Sequence, residues 1–274
     1  MTETDKICAA PETQLGNLKV LLAEDNEVNQ LLAKNILHHW GLQWKIATDG
    51  YQVMELLNAE DFDIVLMDIQ MPGKSGIEAA HDIRQLADLK KKNIPIIALT
   101  ANALKGEEKK YQAVGMDDFL TKPFKREDLF EVIVKVLESR KDNCSCTTVK
   151  TPFDKTGFAP MEKLYDLSYI QELGGNNADF INSLLQIFID TTPADSAEMV
   201  KACTDKKWDA VSKLAHKIKS TIDSLRITEI KDDVRTIELD AKNKVNLDAV
   251  ARLVAKVDRV VNETAVQLSQ ELQK

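Results

Sequence analysis

The sequence predicts two domains of different class, an α/β doubly wound five-stranded parallel sheet followed by an all-α antiparallel helical bundle. Three observations predict this. From about Leu18 to Arg140, short β-rich runs alternate with amphipathic helical stretches, the sequence form of a doubly wound sheet. From Tyr165 onward, apolar residues recur at helical spacing with no strand-like alternation of any length. Between them, Lys141 to Lys163 shows neither period and mixes Lys, Asp, Asn, Ser and Thr with Pro152, Gly157 and Pro160. The boundaries expected are 16–140, a linker over 141–165, and 166–274, and 274 residues at 44% hydrophobic give each part length for a core.

In chain order, the strands expected are Leu18 to Ala23, Trp44 to Thr48, Asp63 to Asp68, Ile94 to Leu99 and Asp117 to Leu120. The third is the most informative: Ile64, Val65, Leu66 and Met67 form an apolar run that reads as a strand buried on both faces, and it ends in the carboxylate of Asp68. Helices follow from Val28, Leu31, Leu32, Ile36 and Leu37, from Val53, Met54, Leu56 and Leu57, and from Leu129, Ile133, Val136 and Leu137. Past the linker, where Phe153 and Phe158 suggest docking of a segment on a surface, four substantial helices are expected. The first starts near Asn177 as its cap and is interrupted at Pro193; the others run from about Trp208 to Leu225, Ile227 to Ala241 and Leu247 to Leu272.

Composition excludes several function classes. A net charge of -8 argues against a general nucleic-acid binder. No apolar run reaches the roughly 18 residues that span a bilayer, and Met1 to Asp5 lack the pattern of a secretion signal, so a cytoplasmic protein with no membrane insertion is expected. Cys8, Cys144, Cys146 and Cys203 lack metal-type spacing and read as reduced thiols. No helix-turn-helix pattern or basic recognition helix follows the sheet domain, so no direct nucleic-acid binding is expected.

Polar residues stand at equivalent strand ends: Glu24-Asp25 after the first strand, Asp68 at the end of the third, Thr100 after the fourth, and Thr121-Lys122-Pro123 after the last. Parallel strands share one carboxyl edge, where ligands of open α/β sheets bind. Asp68 taken alone reads equally as an acid that starts a turn. Three carboxylates converging there would repel, which a hard divalent cation such as Mg²⁺ relieves. A metal, a hydroxyl and an ammonium beside a carboxylate make a phosphoryl-transfer site with Asp68 as nucleophile. Two look-alikes fail. Gly73-Lys74-Ser75 lacks the glycine that a phosphate-binding loop needs five positions earlier, where Asp68 stands. A phosphatase using an aspartyl nucleophile would place a second Asp at position 70, where this chain has Gln70, so turnover should be slow self-hydrolysis.

With Glu24-Asp25, Met67-Asp68-Ile69-Gln70-Met71-Pro72, Ala98-Leu99-Thr100-Ala101 and Lys122-Pro123, residues 16 to 140 resemble a receiver domain of two-component signalling, a flavodoxin-like fold. The resemblance implies that Asp68 accepts a phosphoryl group from a phosphohistidine. It implies that Glu24, Asp25, Asp68 and the backbone carbonyl of Gln70 hold Mg²⁺, and that Thr100 and Lys122 contact phosphoryl oxygens. A cis Lys122-Pro123 peptide and an aromatic switch at Phe119 are implied as well.

In the second half, Val211, Leu214, Ile218, Ile222 and Leu225 share one helix side and His216 lies opposite, so His216 is expected to face water among Ser212, Lys213, Lys219 and Ser220. Those cations and hydroxyls could support a phosphoryl group; a solvated histidine is the alternative. Ala215-His216-Lys217-Ile218-Lys219-Ser220 resembles the signature of histidine phosphotransfer (HPt) domains, with Arg226 standing where that family often has glycine. His38, His39 and His81 read as surface or helix-end residues without chemistry.

The function expected is phosphorelay signal transduction: Asp68 accepts a phosphoryl group from a kinase and His216 passes one to or from a receiver. The alternatives are a phosphorylation-switched interaction module and a phosphate-draining negative regulator of another histidine kinase. The partners expected are a sensor histidine kinase or hybrid kinase and a cognate receiver. The sequence contains no ATP-binding kinase segment, and either a free-standing relay or the carboxyl-terminal piece of a hybrid kinase fits it.

Overall fold

A computed structural model describes residues 15–101, 107–139, 163–174 and 177–273. The chain divides into two compact units near Cys144. Most of the expected linker, with Phe153 and Phe158, lies outside the described residues, as do Cys8, Cys144 and Cys146.

The first unit is a five-stranded parallel sheet in the order β2-β1-β3-β4-β5, formed by β1 (Lys19–Ala23), β2 (Gln43–Ala47), β3 (Ile64–Asp68), β4 (Ile96–Thr100) and β5 (Asp118–Thr121). Its helices are α1 (Glu27–His39), α2 (Gly50–Ala59), α3 (Gly76–Ile83), the short α4 (Leu89–Lys92), α5 (Glu107–Ala113) and α6 (Arg126–Ser139). Every residue of β3 and β4 is buried, the expected result for central strands covered on both faces. The chain leaves β1 toward β2 and returns on its other side as β3. The resulting crevice between β1 and β3 is the place where open sheets receive ligands.

Each strand differs from its expected bounds by one or two residues, and in three places the local reason is visible. Pro95 has no amide hydrogen, so β4 starts after it, although the Pro95 carbonyl accepts from Val65 N at 2.9 Å. Thr48 leaves β2 because its amide and hydroxyl bond the Gln52 side chain in the turn into α2, which Asp49 caps. Asp117 precedes β5 because its carboxylate accepts from Ile96 N at 2.8 Å and from Arg84 at 3.1 Å.

The second unit is all helical among its described residues: α7 (Ser168–Gly174), α8 (Ala178–Thr204), α9 (Trp208–Ser224), a 3-10 turn (Thr228–Ile230), α10 (Lys231–Asn243) and α11 (Leu247–Leu272). Asn177 caps α8 as expected, accepting from Phe180 N at 3.2 Å. The expected interruption at Pro193 does not occur, for α8 runs 27 residues through it. Phe188, Thr192, Ser196 and Met199 are buried on both sides of the proline, and this continuous packing outweighs one lost backbone hydrogen bond. Side-chain pairs Asp209 with Lys244, His216 with Glu238 and Asp223 with Arg235 run α9 and α10 in opposite directions. Arg226, at the end of α9, adopts φ 49, the left-handed region that glycine ordinarily fills. Its guanidinium bonds Ser168 Oγ at 2.7 Å and Asp166 Oδ2 at 3.2 Å.

Candidate functional site

Two clusters carry chemistry, one in each unit. The first lies at the carboxyl edge of the sheet. Ala23 pairs with Met67, so continuing that register brings Glu24 beside Asp68. Carboxylate oxygens of Glu24, Asp25 and Asp68 all lie within 4.8 Å of one another. Three hard oxygen donors at that spacing fit a divalent cation such as Mg²⁺.

Lys122 is buried in the same place and donates to both Glu24 Oε2 and Asp68 Oδ2, the latter at 2.6 Å. Burial opposes its charge, but Asp68 and Glu24 together outweigh it and hold the ammonium above the ordinary lysine range. Burial is also the largest influence on Glu24 and pushes its carboxyl up to about 8, with repulsion from Asp68 adding to it and Lys122 opposing it. Asp68 Oδ1 accepts from the Gln70 amide at 3.1 Å. Gly76 enables that turn, since a Cβ there would lie 2.0 Å from the Asp68 carbonyl oxygen.

Thr100 is buried at the end of β4, where its carbonyl accepts from Lys122 N at 2.7 Å and its hydroxyl from Tyr111 at 3.2 Å. The half-buried Phe119 ring packs against Tyr111 with centroids 6.3 Å apart. The Lys122-Pro123 peptide is cis. Sequence reasoning missed the polar residues that orient Glu24. Its Oε1 accepts from Asn26 N and Asn29 Nδ2 at 3.2 and 3.0 Å, and its carbonyl from Gln30 Nε2 at 2.8 Å. Asn26 also caps α1, accepting from Val28 N and Asn29 N, so one turn sets both the helix start and the acid.

The second cluster lies between α9 and α10, and here the expectation needs correction. The His216 side chain does not stand free in water: it is 16% exposed, and its Nδ1 lies 2.7 Å from Glu238 Oε1. Lys219 is buried and donates to Glu238 Oε2 at 2.5 Å, so it is committed to a carboxylate. Ser212 donates to the Glu238 carbonyl at 2.9 Å. Lys213 is exposed and Ser220 half-buried, and neither joins the His216, Glu238 and Lys219 group. Burial works against the charge of Glu238, yet His216 and Lys219 outweigh it and hold the carboxyl down to about 2. An ionised carboxylate only accepts, so the form of His216 that can bond Glu238 is one with a proton on Nδ1. Glu238 was invisible in the sequence because it is 22 positions from His216 and meets it only through helix pairing.

Comparison with known proteins finds a family match for each unit. Residues 20–134 match the response regulator receiver domain and residues 183–271 the Hpt domain. The aerobic respiration control sensor protein ArcB of Escherichia coli is 28% identical over 235 residues, 84% of this chain and 28% of that protein. Hybrid signal transduction histidine kinase I of Dictyostelium discoideum is 41% identical over 143 residues, 50% of this chain and 8% of that one. Sensor protein GacS of Pseudomonas syringae is 39% identical over 118 residues, 43% of this chain and 13% of that one. This chain thus spans less than a third of the length of each of these relatives. The crystal structure of the receiver domain of sensor histidine kinase PA1611 from Pseudomonas aeruginosa, with magnesium coordinated in its cleft, is 35% identical. That match covers 45% of this chain and 99% of that one at a TM-score of 0.42. Among the described residues no helix is long and apolar enough to cross a membrane.

Proposed function

From the premise that residues 20–134 carry a receiver domain and residues 183–271 an Hpt domain, we propose that this chain works as a phosphorelay element, with Asp68 and His216 as its phosphoryl acceptors. The observation that carries the reading is that each unit holds one nucleophile of a phosphoryl-carrying kind in a charge-stabilised site: a carboxylate beside two further acids and a buried lysine, and an imidazole whose Nδ1 is tied to a carboxylate.

The Asp68 carboxylate attacks phosphorus of a phosphohistidine on a kinase, the N–P bond breaks, and its electron pair returns to the donor imidazole. Lys122 and Thr100 contact the phosphoryl oxygens, Lys122 turning its positive charge from Glu24 toward them. Glu24, Asp25, Asp68 and the Gln70 carbonyl would hold Mg²⁺. When bound, the ion neutralises charge that builds on the transferring group. Phe119, packed on Tyr111, reports the state of Thr100 to the surface, because Tyr111 bonds the Thr100 hydroxyl. His216 Nε2 then takes the phosphoryl group from a receiver aspartate or returns one to it. A sensor or hybrid kinase and a receiver are the proposed partners, and the cytoplasm the proposed compartment.

The test is to label the chain with an acyl phosphate and Mg²⁺ and compare it with Asp68→Asn and His216→Gln. The wild type should give base-stable label on His216 that disappears in both variants. Label that never reaches His216, at any protein concentration, would sink transfer between these two residues.

A further inference from the structure

We infer that Tyr111 is a positioning residue for phosphoryl transfer to Asp68: from α5 its phenol selects the rotamer of Thr100 and leaves the threonine's own hydrogen for a phosphoryl oxygen. The inference rests on the relay reading and adds to it a residue, away from the strand ends, on which the chemistry of Asp68 depends.

Thr100 closes β4 and is buried, and its carbonyl accepts from Lys122 N at 2.7 Å, so its backbone is fixed. That bond does not fix its side chain. Threonine has staggered wells at χ1 that exchange the places of its hydroxyl and its methyl. The Tyr111 hydroxyl donates to Thr100 Oγ1 at 3.2 Å, which only a rotamer with Oγ1 toward Tyr111 permits. A hydroxyl has one hydrogen and two lone pairs, so an oxygen that accepts from Tyr111 keeps its own hydrogen for another partner. The incoming phosphoryl group is that partner. Accepting one bond also polarises the hydroxyl and strengthens the bond it donates. As the Asp68 carboxylate attacks phosphorus, the bond from phosphorus to the donor's nitrogen or oxygen breaks and its electron pair leaves with the donor. Thr100 donates a hydrogen bond to the phosphoryl oxygens and gives up no proton.

The phenol is a rigid donor because the frame behind it is anchored. Tyr111 is buried, and its carbonyl accepts from Met116 N at 3.0 Å and Val114 N at 3.3 Å in the turn into β5. Gly115 in that turn has φ 85, and its carbonyl accepts from Arg84 Nε at 2.8 Å. Arg84 also donates to the Lys92 carbonyl at 2.7 Å and to Asp117 at 3.1 Å, so the turn is tied to the end of α3 and to the segments that lead into β4 and β5. Phe119 packs its ring on Tyr111 but carries no hydroxyl, so the aromatic position on β5 has no such donor to offer. The phenol beside Thr100 comes from α5 instead.

The test uses the full-length chain carrying His216→Gln, so that label stays on Asp68. Labelling by acetyl phosphate with Mg²⁺ is followed over a range of donor concentrations, in this parent and with Tyr111→Phe added, which keeps the ring and removes only the hydroxyl. The maximal rate should fall about fivefold, the worth of one ordinary hydrogen bond, with the half-saturating donor concentration unchanged. In a Thr100→Ala background the same substitution should alter the rate by less than about twofold, because the group it positions is gone. An unchanged or faster rate with Tyr111→Phe, or an equal slowing in both backgrounds, would overturn the inference and leave the relay intact. A parent that takes no label on Asp68 would overturn both. Methyl NMR supplies a reading independent of rate: Thr100 should hold one χ1 rotamer in the parent and a mixture in Tyr111→Phe. The same single rotamer in both chains would sink the inference outright.

Discussion

The two sites are built on opposite charge plans. At the sheet edge a single ammonium, Lys122, bridges two carboxylates, with a third beside them. Between the helices a single carboxylate, Glu238, bridges an ammonium and an imidazole. The first plan leaves acid groups in excess, three carboxyls to one ammonium; the second sets one carboxylate against an ammonium and an imidazole. The difference teaches that the sign in the bridging position separates the two sites: an ammonium between acids can shift its charge to an incoming anion, whereas a carboxylate between a lysine and a histidine fixes the two basic groups in place.

The contrast can be broken or sharpened experimentally. The largest effect should come from chelating Mg²⁺, which should cut acyl-phosphate labelling of Asp68 by at least ~100-fold and leave phosphoramidate labelling of His216 unchanged. A common fall would show that the two sites are not separate in charge. Replacing the bridging group comes next. Lys122→Met leaves Glu24 and Asp68 buried without their cation and should cost about 3–5 kcal/mol of stability in the sheet unit. Glu238→Leu strands the buried Lys219 and should cost about 2–3 kcal/mol in the helical unit. Denaturant unfolding of each variant, followed by a probe in each unit, measures both. Acid should act on the helical unit through Glu238. Its carboxyl is held down to about 2, below its ordinary 4.5, so it contributes stability that is complete above pH ~4.5 and lost as pH falls toward about 2. Thermal melts over that range should fall more steeply for wild type than for Glu238→Gln. The smallest effect belongs to a position outside both sites: Pro193→Ala should restore one helical hydrogen bond and stabilise the chain by about 1 kcal/mol.

Much of the sheet unit was legible because its signals are local. The apolar run Ile64 to Met67 marks a covered strand wherever it occurs, and parallel pairing then carries Glu24, Asp68, Thr100 and Lys122 to one edge without further information. What was not legible depended on partners distant in sequence. Pro193 reads as a break until the burial around Phe188 and Met199 is known. His216 reads as solvated from its own helix alone, and only the packing of α10 supplies Glu238. Lys219 looked like a group for phosphate and proved to be held by an acid. Arg226 looked like a departure in backbone and proved to adopt a glycine-like φ, with its side chain tied to Asp166 and Ser168.

The bonds to Glu238 also act as a ruler. Its carbonyl is met by Ser212, and its two carboxylate oxygens by His216 and Lys219, so one residue of α10 is read by three residues of α9. An α-helix advances 1.5 Å and turns about 100° per residue, so a slip of α10 by a single position would swing Glu238 away from all three at once. An apolar interface tolerates such sliding far better. The histidine pair thereby specifies how the two helices align, and any substitution that loosens Glu238 should blur that alignment before it unfolds the unit.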